Sequence, residues 1–493
     1  MQESENHIPN ARLDKLNQLR DKGINPYPTR YFRTHNSSEA IAFYEDQESS
    51  LDENGRTPEI SVAGRITAIR GMGKATFIDI MDSQGHLQSL ARQNSLSSYA
   101  ELRLIDIGDW IGLSGPLLRT RTGQVTLEIR SWDILSKSLR PLPEKWHGLA
   151  DVEIRYRQRY LDLIANEDAR NVAVLRSKLV SALRKFMEDR NFIEVETPVL
   201  VPIAAGGTAQ PFITHYNALG RNLYLRIATE LYLKRLMVGG LERVFEIGRT
   251  FRNEGLDLHH NPEFTMMESY EAYSNYYDVM EFVEKLIHTL AQMVLGTSLI
   301  KYSGHDIDLT PPWRRLDLHK EIKSKTGIDF LESNDVESLA QAMKSIGINV
   351  DKQVSWGGMI DKLLSAVIEP NLTQPVFLVD YPVEMSPLAK SKQEDARLAE
   401  RFEGFIGGME ICNAFTELND PIDQRTRLEK QEELRVQFQD EDMDRLDEDF
   451  LTALEYGMPP TGGLGLGIDR LVMLFSGKTS IKEVILFPQL RNP

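Results

Sequence analysis

Residues 461–470 read Thr461-Gly462-Gly463-Leu464-Gly465-Leu466-Gly467-Ile468-Asp469-Arg470 and run directly into the apolar segment 471–475. Alternating glycines let a backbone come close to a ligand, because no Cβ atom stands in the way. The pattern predicts a glycine-rich strand that enters a helix, with Arg470 near the junction. An arginine there can lay its planar, permanently charged guanidinium against a nucleotide. A flexible hairpin with a surface arginine is the alternative, since the spacing fits neither common phosphate-loop motif.

Two runs upstream have strand-like apolar alternation, residues 243–248 and 264–271, and a turn-rich loop separates them. They predict a hairpin in which Arg252 and Glu254 share one face of a strand, because the two are two residues apart. Arg252 can clamp a phosphate with two parallel hydrogen bonds. Glu254 can accept a bond from an exocyclic amine, and Phe264 can stack on a base. A surface hairpin with an Arg–Glu ion pair is the alternative.

A third segment precedes both: a helical pattern over residues 180–190 is followed by a strand-like run that stops at Pro198. By itself such a segment indicates scaffold or a subunit interface. The order of helix–strand–proline, hairpin and glycine-rich strand resembles the three motifs of class II aminoacyl-tRNA synthetases, and the resemblance covers the chain from about residue 10 to residue 493. The segments that resemble the lysyl members are Gly206-Gly207, residues 228–234, Asp380-Tyr381-Pro382 with Ser386-Pro387-Leu388, and residues 410–420.

The chain has two blocks of different pattern. Residues 11–22 predict a charged helix, residues 36–57 a polar linker, and residues 60–134 five short strands, which suggest a small barrel of the OB type. We therefore expect an α+β protein in which residues 1–145 form an N-terminal helix and an OB-type anticodon-binding domain. The resemblance implies that residues 146–493 form a class II catalytic domain, an antiparallel sheet flanked by helices.

Composition bounds the class of protein. With 493 residues, the chain is long enough for roughly two or three domains. A single cysteine, Cys412, excludes a disulfide framework and a cysteine-based zinc site. The sequence has no apolar run of membrane-spanning length and no leader, so we expect a cytoplasmic protein without a membrane partner. The formal charge is −16, but residues 1–150 carry 18 basic and 19 acidic side chains, so local basic patches there can still bind nucleic acid.

Three glutamates, Glu230, Glu268 and Glu417, predict the kind of amino acid that the site accepts. Carboxylates beside a nucleotide-binding groove attract a cationic substrate and repel an acidic one. A buried ammonium needs such a partner, since leaving it unpaired costs roughly 3–5 kcal/mol. Each glutamate alone is more typical of a solvated face, and the resemblance is what makes it a lysine contact. By the same resemblance, the remaining lysine contacts are Gly206, Tyr270, Asn413 and Phe415.

Glu403 and Glu410 flank Gly407-Gly408 and predict a metal site. Two carboxylates that face a triphosphate are what Mg²⁺ requires, with water and phosphate oxygens completing its octahedron. A helix ion pair is the alternative; the resemblance favours Mg²⁺, with more than one ion bound beside ATP. It also implies that Arg252 and Arg470 are catalytic. The ATP contacts that it implies are Arg252, Glu254, His260, Asn261, Phe264 and Arg470.

The predicted barrel would bind single-stranded nucleic acid by stacking bases on aromatic side chains beside basic and amide groups. Phe77, Gln88 and Arg70 lie on or beside its second and third strands. Plain strand composition explains any one of them alone. In synthetases of this family the matching barrel reads a U-rich anticodon, and the resemblance implies anticodon contacts by Arg70, Phe77, Gln88 and Glu128.

The resemblance therefore implies a homodimer that activates L-lysine with ATP to lysyl-adenylate and transfers lysine to the 3′ end of tRNA(Lys). The substrate carboxylate attacks the α-phosphorus itself, so no protein nucleophile is needed. Three other functions remain open: a protein-lysylating paralogue, an aspartyl- or asparaginyl-specific synthetase, and a non-catalytic RNA-binding protein. The barrel argues against the first and the acidic pocket against the second. The argument against the third is that the residues implied for catalysis and metal binding are intact: Arg252, Glu254, Glu403, Glu410 and Arg470.

Overall fold

The computed structural model describes residues 9–51, 55–142, 149, 151–206, 209–333, 335–350, 355–438 and 446–491. The chain divides into two compact units, Met1–Leu149 and Ala150–Pro493, called here the N-terminal and the C-terminal unit. The domain boundary that the sequence predicts, between residues 145 and 146, lies outside the described residues. Within the described ranges, no helix is long and apolar enough to cross a membrane.

The N-terminal unit contains a closed ring of strands. Its described α-helices and strands are α1 (Asn10–Asp21), α2 (Ser37–Gln47), β1 (Glu59–Met72), β2 (Ala75–Met81), β3 (His86–Arg92), β4 (Trp110–Arg119), β5 (Val125–Glu128) and β6 (Ser131–Ser136). Strand β1 pairs with both β2 and β4, and β3 and β5 complete the ring. This ring is the predicted OB-type barrel. Strand β6 pairs with β4 and was not predicted.

Alternation along the strands places the barrel core. On β2, Ile78 and Ile80 are buried, whereas Phe77 and Asp79 point to the opposite face. The core is built from the inward-facing apolar residues of the ring and from α2. The outward face of the same strands is therefore left for polar and aromatic side chains.

Residues 36–57, predicted as a polar linker, include the helix α2, so that prediction was wrong. The Asn36 side chain accepts a hydrogen bond from the Glu39 backbone, and the Glu39 carboxylate accepts one from the Asn36 backbone, which forms a capping box. Ala40 and Tyr44 of this helix are buried in the barrel core. The prediction failed because this short helix buries only one narrow face, so most of its residues are polar.

The C-terminal unit alternates helices and strands. Its described α-helices and strands are α3 (Val152–Arg157), α4 (Arg159–Ala165), α5 (Glu167–Glu188), β7 (Ile193–Glu194), β8 (Leu200–Val201), β9 (Ile213–Tyr216), β10 (Arg221–Leu225), α6 (Glu230–Val238), β11 (Arg243–Phe251), β12 (Glu263–Ala272), α7 (Tyr276–Leu295), β13 (Leu299–Tyr302), β14 (His305–Asp308), β15 (Arg314–Asp317), α8 (Leu318–Thr326), α9 (Val336–Ser345), α10 (Trp356–Leu363), β16 (Val376–Pro382), β17 (Leu398–Ile406), β18 (Met409–Thr416), α11 (Pro421–Phe438), α12 (Glu448–Glu455), β19 (Thr461–Gly467), α13 (Ile468–Ser476) and α14 (Ile481–Val484).

Eight of these strands form the central sheet, in the order β15-β16-β17-β18-β19-β12-β11-β7. The six inner strands are antiparallel to their inner neighbours, and the two edge strands pair in parallel. Leu183 of α5, Leu286 of α7 and Leu471 of α13 belong to the core that includes the sheet residues Leu464 and Leu466. The predicted antiparallel sheet flanked by helices is confirmed.

All three predicted motifs are present. Helix α5 ends at Glu188 and strand β7 follows it, although β7 stops at Glu194 and does not reach Pro198. Strand β19 ends at Gly467 and helix α13 begins at Ile468, which is the predicted junction.

Strands β11 and β12 pair as the predicted hairpin, but β11 ends at Phe251. Arg252 and Glu254 therefore lie in the connecting loop, and their placement on a strand was wrong. Pro262 has no N–H with which to continue the ladder.

Candidate active site

A cavity of about 370 Å³ lies on the C-terminal unit, over strands β12, β19 and β18. The loop between β11 and β12 and the first turns of α6 and α13 complete its walls. Every residue predicted for the catalytic domain lines this cavity except Glu403. They are Gly206, Glu230, Arg252, Glu254, His260, Asn261, Phe264, Glu268, Tyr270, Glu410, Asn413, Phe415, Glu417 and Arg470.

Strand register explains why these side chains meet. Residues directly opposite each other in an antiparallel pair share one face of the sheet. Glycines of β19 lie between functional side chains of β12 on one side and β18 on the other, so the middle strand leaves a trough. The two rows across the trough are Glu268–Gly465–Asn413 and Tyr270–Gly463–Phe415.

Gly463 makes room for a protein side chain as well as for a ligand. A Cβ atom at Gly463 would lie 1.8 Å from Glu417 Oε1 and 2.7 Å from Tyr270 Cε1. Real Cβ atoms essentially never approach so closely, so any other residue here would displace Glu417. The sequence pattern predicts close approach of a ligand to this backbone; the structure adds that Gly463 is needed to seat Glu417.

Replacing Gly463 with alanine should therefore raise the KM for lysine by about tenfold, because one charge-assisted contact is lost. Steady-state kinetics of lysine-dependent ATP–pyrophosphate exchange measure the effect. The same substitution in a Glu417→Gln background is the control. Its added effect should be small, since both changes act through Glu417. Fully additive effects would contradict this role for Gly463.

The carboxylates of Glu230 and Glu417 share a buried ammonium, that of Lys234. Its Nζ donates to Glu230 Oε1 at 2.6 Å and contacts Glu417 Oε2. Burial alone lowers the pKa of Lys234, but the charges of Glu230 and Glu417 outweigh it and raise the pKa. Lys234 was not among the predicted site residues. The signal for it was its spacing of four residues from Glu230 along a helix.

Glu268 is a buried carboxylate with neutral partners. Its Oε1 accepts a bond from the Thr229 backbone at 3.1 Å, and the Tyr270 hydroxyl lies 3.5 Å from Oε2. Burial and the negative charge of Glu230 raise the pKa of Glu268 to about 7. Near neutral pH this group therefore exists in both forms, and a cation brought beside it would favour the ionised form.

The raised pKa of Glu268 predicts a pH-dependent affinity for a cationic amino acid. Below about pH 7 the carboxyl is mostly protonated and does not attract an ammonium. Above about pH 7 it is mostly ionised and attracts one. The KM for lysine should fall as pH rises from about 6 to about 8, while the KM for ATP changes less. Kinetics in matched-ionic-strength buffers measure this trend. A Glu268→Gln variant should lose it, and an unchanged pH trend in that variant would contradict the assignment.

Arg252 is presented to the cavity from the loop. Its guanidinium carbon lies 5.3 Å from the centroid of the Phe264 ring. Its backbone donates to Pro262 at 2.8 Å, which fixes the start of the loop. Among the described residues, no partner accepts a hydrogen bond from its buried Nε. A buried donor without a partner is costly, so this group is poised for an acceptor from a ligand. Glu254 is exposed in the same loop.

Arg470, at the start of α13, has protein partners. Its Nη1 donates to the backbone oxygen and to Oε2 of Glu410, both at 2.8 Å. Its Nη2 lies 3.3 Å from Nε2 of the exposed His260. Asn261 is nearly buried and donates to the Glu263 backbone at 2.6 Å, so it also holds the loop in shape. The predicted ATP residues are therefore brought together at the Gly467 end of the trough.

The predicted metal ligands Glu403 and Glu410 lie on β17 and β18, not on a helix. The turn between these strands is Gly407-Gly408, with φ of 65° and 76°, a conformation that glycine adopts without strain. Glu410 lines the cavity. Glu403 does not line it, and its oxygens accept hydrogen bonds from Arg401 at 2.7 Å and Tyr381 at 2.8 Å.

The electrostatic environment of Glu403 and Glu410 suits a cation. Burial and the nearby charge of Glu410 raise the pKa of Glu403 to about 7, although Arg401 opposes the shift. The hydrogen bonds to Glu403 leave lone pairs on both of its oxygens. Two carboxylates plus phosphate oxygens and water therefore fit Mg²⁺. The part of the chain that the structure describes contains no cluster of three or more His, Cys, Asp or Glu that could hold a metal.

Two further residues position the site and were not predicted. Arg401 donates to Asn413 Oδ1 at 3.1 Å and so orients a predicted lysine contact. Asp469 accepts a hydrogen bond from the Thr265 backbone at 2.6 Å and contacts Arg176, which ties α13 to β12. Neither role was predicted, because Asn413 is 12 residues from Arg401 and Thr265 is 204 residues from Asp469 along the chain.

In the N-terminal unit, the four predicted anticodon residues lie on one face of the barrel. Register pairs Arg70 with Phe77, Phe77 with Leu90, and Leu90 with Glu128. Gln88 is two residues from Leu90 on β3 and therefore shares the face. We call the surface formed by these five residues the outer barrel face.

Two of these four residues already have charged partners. Glu128 is 2 % exposed and contacts Arg56 at 2.9 Å, Arg130 at 3.0 Å and Arg92 at 3.3 Å. Arg70 forms two hydrogen bonds with Asp79, at 2.6 and 3.0 Å. Glu128 thus fixes arginines at the border of the outer barrel face. Phe77 and Gln88 are half-buried and keep part of their surface open to a base.

Comparison with known proteins assigns both units. A family profile described as tRNA synthetases class II (D, K and N) matches residues 151–491. A second profile, described as an OB-fold nucleic acid binding domain, matches residues 60–135.

Similar relatives carry the description lysine–tRNA ligase. One from Dehalococcoides mccartyi is 51 % identical over 490 residues, which are 99 % of this chain and 98 % of the relative. One from Carboxydothermus hydrogenoformans is 51 % identical over 99 % of this chain and 98 % of the relative. One from Bacillus subtilis is 49 % identical over 98 % of this chain and 97 % of the relative. The chain belongs to the class II tRNA synthetases and, within them, to the family of lysine–tRNA ligases.

Proposed function

We propose that the chain uses ATP to activate L-lysine as lysyl-adenylate and then transfers the lysyl group to the 3′ end of tRNA(Lys). The observation that carries the proposal is the order of charge along one trough. Glu417 lies against Gly463, whereas the Arg470 side chain lies 3.6 Å from the Cβ position of Gly467. These glycines are roughly 13 Å apart at the rise of a strand. Carboxylates at one end suit the ammonium of lysine, and arginines at the other suit the phosphates of ATP.

The proposed chemistry is direct displacement at phosphorus. An oxygen of the lysine carboxylate forms a bond to the α-phosphorus of ATP, the bond from that phosphorus to the β-bridging oxygen breaks, and pyrophosphate leaves. The attacking carboxylate is ionised near neutral pH, so no protein base is needed. Arg252 and Arg470 would stabilise the charge on the phosphoryl oxygens. In the second step a terminal ribose hydroxyl of tRNA attacks the lysyl carbonyl carbon, and AMP leaves.

Mg²⁺ is the proposed cofactor, with more than one ion bound beside ATP. Glu410, which lines the cavity, and Glu403, on the neighbouring strand β17, would hold it. When bound, Mg²⁺ supplies positive charge against the triphosphate. Glu410 also accepts a hydrogen bond from Arg470, so the carboxylate that would hold Mg²⁺ also orients this arginine.

We assign anticodon recognition and the chemical reaction to different parts of the chain. Residues 1–145 would hold the anticodon on the outer barrel face, and residues 146–493 would carry out both chemical steps. Because ATP, lysine and tRNA are the substrates of this reaction, we place the activity in the cytoplasm.

The assignment of the barrel predicts the behaviour of Phe77→Ala. Loss of one base-stacking contact, worth roughly 1–3 kcal/mol, should weaken the charging of tRNA(Lys) by about 5- to 150-fold. Exchange of pyrophosphate with ATP, which needs no tRNA, should stay at the wild-type rate. Phe32→Ala is the matched control, because Phe32 is 69 % exposed and lies outside the outer barrel face. Equal damage to charging and exchange would mean that Phe77 supports the fold instead.

A homodimer is also proposed. Several large apolar side chains are exposed on the segment that follows α5 and on the small sheet of β8, β10 and β9: Ile193, Val199, Leu200, Ile213 and Tyr216. An exposed apolar patch of this kind marks an interaction surface. The particle mass from light scattering tests the proposal, with twice the chain mass of 56.2 kDa expected.

Aminoacylation of a tRNA(Lys) transcript tests the overall proposal. With ATP and Mg²⁺, lysine should be attached to the RNA, and aspartate should not, because the pocket is lined with buried carboxylates. Failure to charge the transcript with lysine, in a preparation that binds ATP, would refute the proposed activity.

A further inference from the structure

One buried charge beside the lysine pocket has no place in the proposed chemistry: the ammonium of Lys234, which does not line the cavity but contacts Glu230 and Glu417, which do. It is 0 % exposed and lies one helical turn beyond Glu230, the first residue of α6. It bridges two elements, because Glu230 belongs to that helix and Glu417 follows the last residue of β18. A buried ion of this kind is retained only where partners compensate its desolvation.

The surroundings of Lys234 keep it in one position. Its Nζ lies 5.3 Å from the centroid of the Phe415 ring and 5.9 Å from that of Phe450. Phe415 is also the side chain expected to line the aliphatic stem of the substrate. The same ring would therefore separate a resident ammonium from the bound amino acid, with cation–π attraction holding the resident one.

The two oxygens of Glu417 face different ways. Oε2 contacts Lys234, whereas Oε1 occupies the space where a Cβ atom of Gly463 would be, on the open side of β19. Within the described residues, neither oxygen receives a hydrogen bond of good geometry, and the contact with Lys234 is made through Oε2, so Oε1 is the oxygen left for a ligand. A carboxylate oxygen that is almost fully buried and lacks a donor is suited to receive one from a ligand.

We propose that Lys234 is a positioning residue that sets the specificity of this pocket: its ammonium holds the carboxylates of Glu230 and Glu417 in place and favours their ionised form. The cluster of Glu230, Glu268 and Glu417 then keeps negative charge for a substrate that brings its own ammonium. This inference rests on the proposed lysine activation. The opposite geometry, in which Lys234 occupies the substrate's ammonium site and must leave, makes the opposite prediction.

Lys234→Met tests the proposal, because methionine fills a similar volume without the charge. We expect the KM for lysine to rise by at least about tenfold in ATP–pyrophosphate exchange, with the KM for ATP within about twofold of wild type. A lower KM for lysine would overturn the proposal, since it would mean that Lys234 competes with the substrate. An equal loss for lysine and ATP would also overturn it, because that is the mark of general damage.

Lys234→Ala with added propylamine is the second variant. Propylammonium replaces the atoms that alanine lacks, and propan-1-ol is its uncharged match. At concentrations that leave the wild-type KM unchanged, propylamine should restore lysine affinity by at least about threefold and propanol should not. Rescue by both, or by neither, would overturn the proposal; so would a failure of both variants to fold. Wild-type exchange is measured in parallel, and its absence would refute the proposed function itself.

Discussion

Replacing Arg252 with alanine should lower the rate of lysine-dependent ATP–pyrophosphate exchange by at least about 10²-fold. The guanidinium would stabilise charge that develops on the phosphoryl oxygens during the displacement, and that stabilisation is greatest in the transition state. Its buried Nε has no acceptor among the described residues, so the side chain is held ready for a ligand. The loss should therefore appear mainly in kcat.

Arg249→Ala is the matched control for this experiment. Arg249 is an exposed arginine on β11, three residues before Arg252, and it does not line the cavity. Its side chain can be removed without loss of the bond that its backbone oxygen accepts from Arg226. The control should exchange at the wild-type rate. If Arg252→Ala is inactive only because its melting temperature collapses, Arg252 is a structural residue and the assignment fails.

Replacing Glu417 with glutamine should weaken lysine-dependent exchange by about 10- to 150-fold, as expected for the loss of a charge-assisted contact worth roughly 1.5–3 kcal/mol. Glutamine keeps the size of the side chain and removes the charge opposite the substrate ammonium. It also leaves Lys234 with Glu230 as its remaining carboxylate partner. The loss should appear in the KM for lysine, with ATP affinity little changed.

Glu281→Gln provides the matched control for that substitution. Glu281 is an exposed glutamate of α7 whose only described ion pair is with Lys285, one turn away. Such a surface pair contributes little to stability, so the control should behave as wild type. Near-normal lysine kinetics in Glu417→Gln would show that the charge of Glu417 does not bind lysine. Gly463 would then not be needed to seat a lysine-binding carboxylate.

The sequence correctly predicted the elements in which glycines or apolar residues recur at regular intervals. The glycine-rich run does end at Gly467 and enters a helix at Ile468, and the two alternating runs do pair as β11 and β12. The end of β11 was misplaced because it depends on Pro262, just before the partner strand β12, and on a hydrogen bond of 2.7 Å from the Asn253 backbone to Gln210. Neither contact is visible along a single strand.

The chemistry of the site was harder to predict than its location. All but one of the predicted catalytic-domain residues line the cavity, because register on three strands brings their positions together. Lys234 escaped notice because a lysine on a helix is usually solvated, and only the fold buries it between Glu230 and Glu417. Glu403, which does not line the cavity, pairs with Asn413, and the register of β17 on β18 shifts between Gly404 and Phe405; neither fact can be read from one strand alone.

Amino-acid-dependent ATP–pyrophosphate exchange, measured with each of the twenty amino acids in turn, tests the central claim most directly. The assay reports adenylate formation without tRNA. It therefore tests the arrangement of charges along the trough independently of tRNA binding by the barrel. The account predicts that lysine supports the fastest exchange, and that aspartate and asparagine support none above background, because Glu230, Glu268 and Glu417 line the pocket. Exchange that is faster with an acidic or uncharged amino acid than with lysine would contradict it.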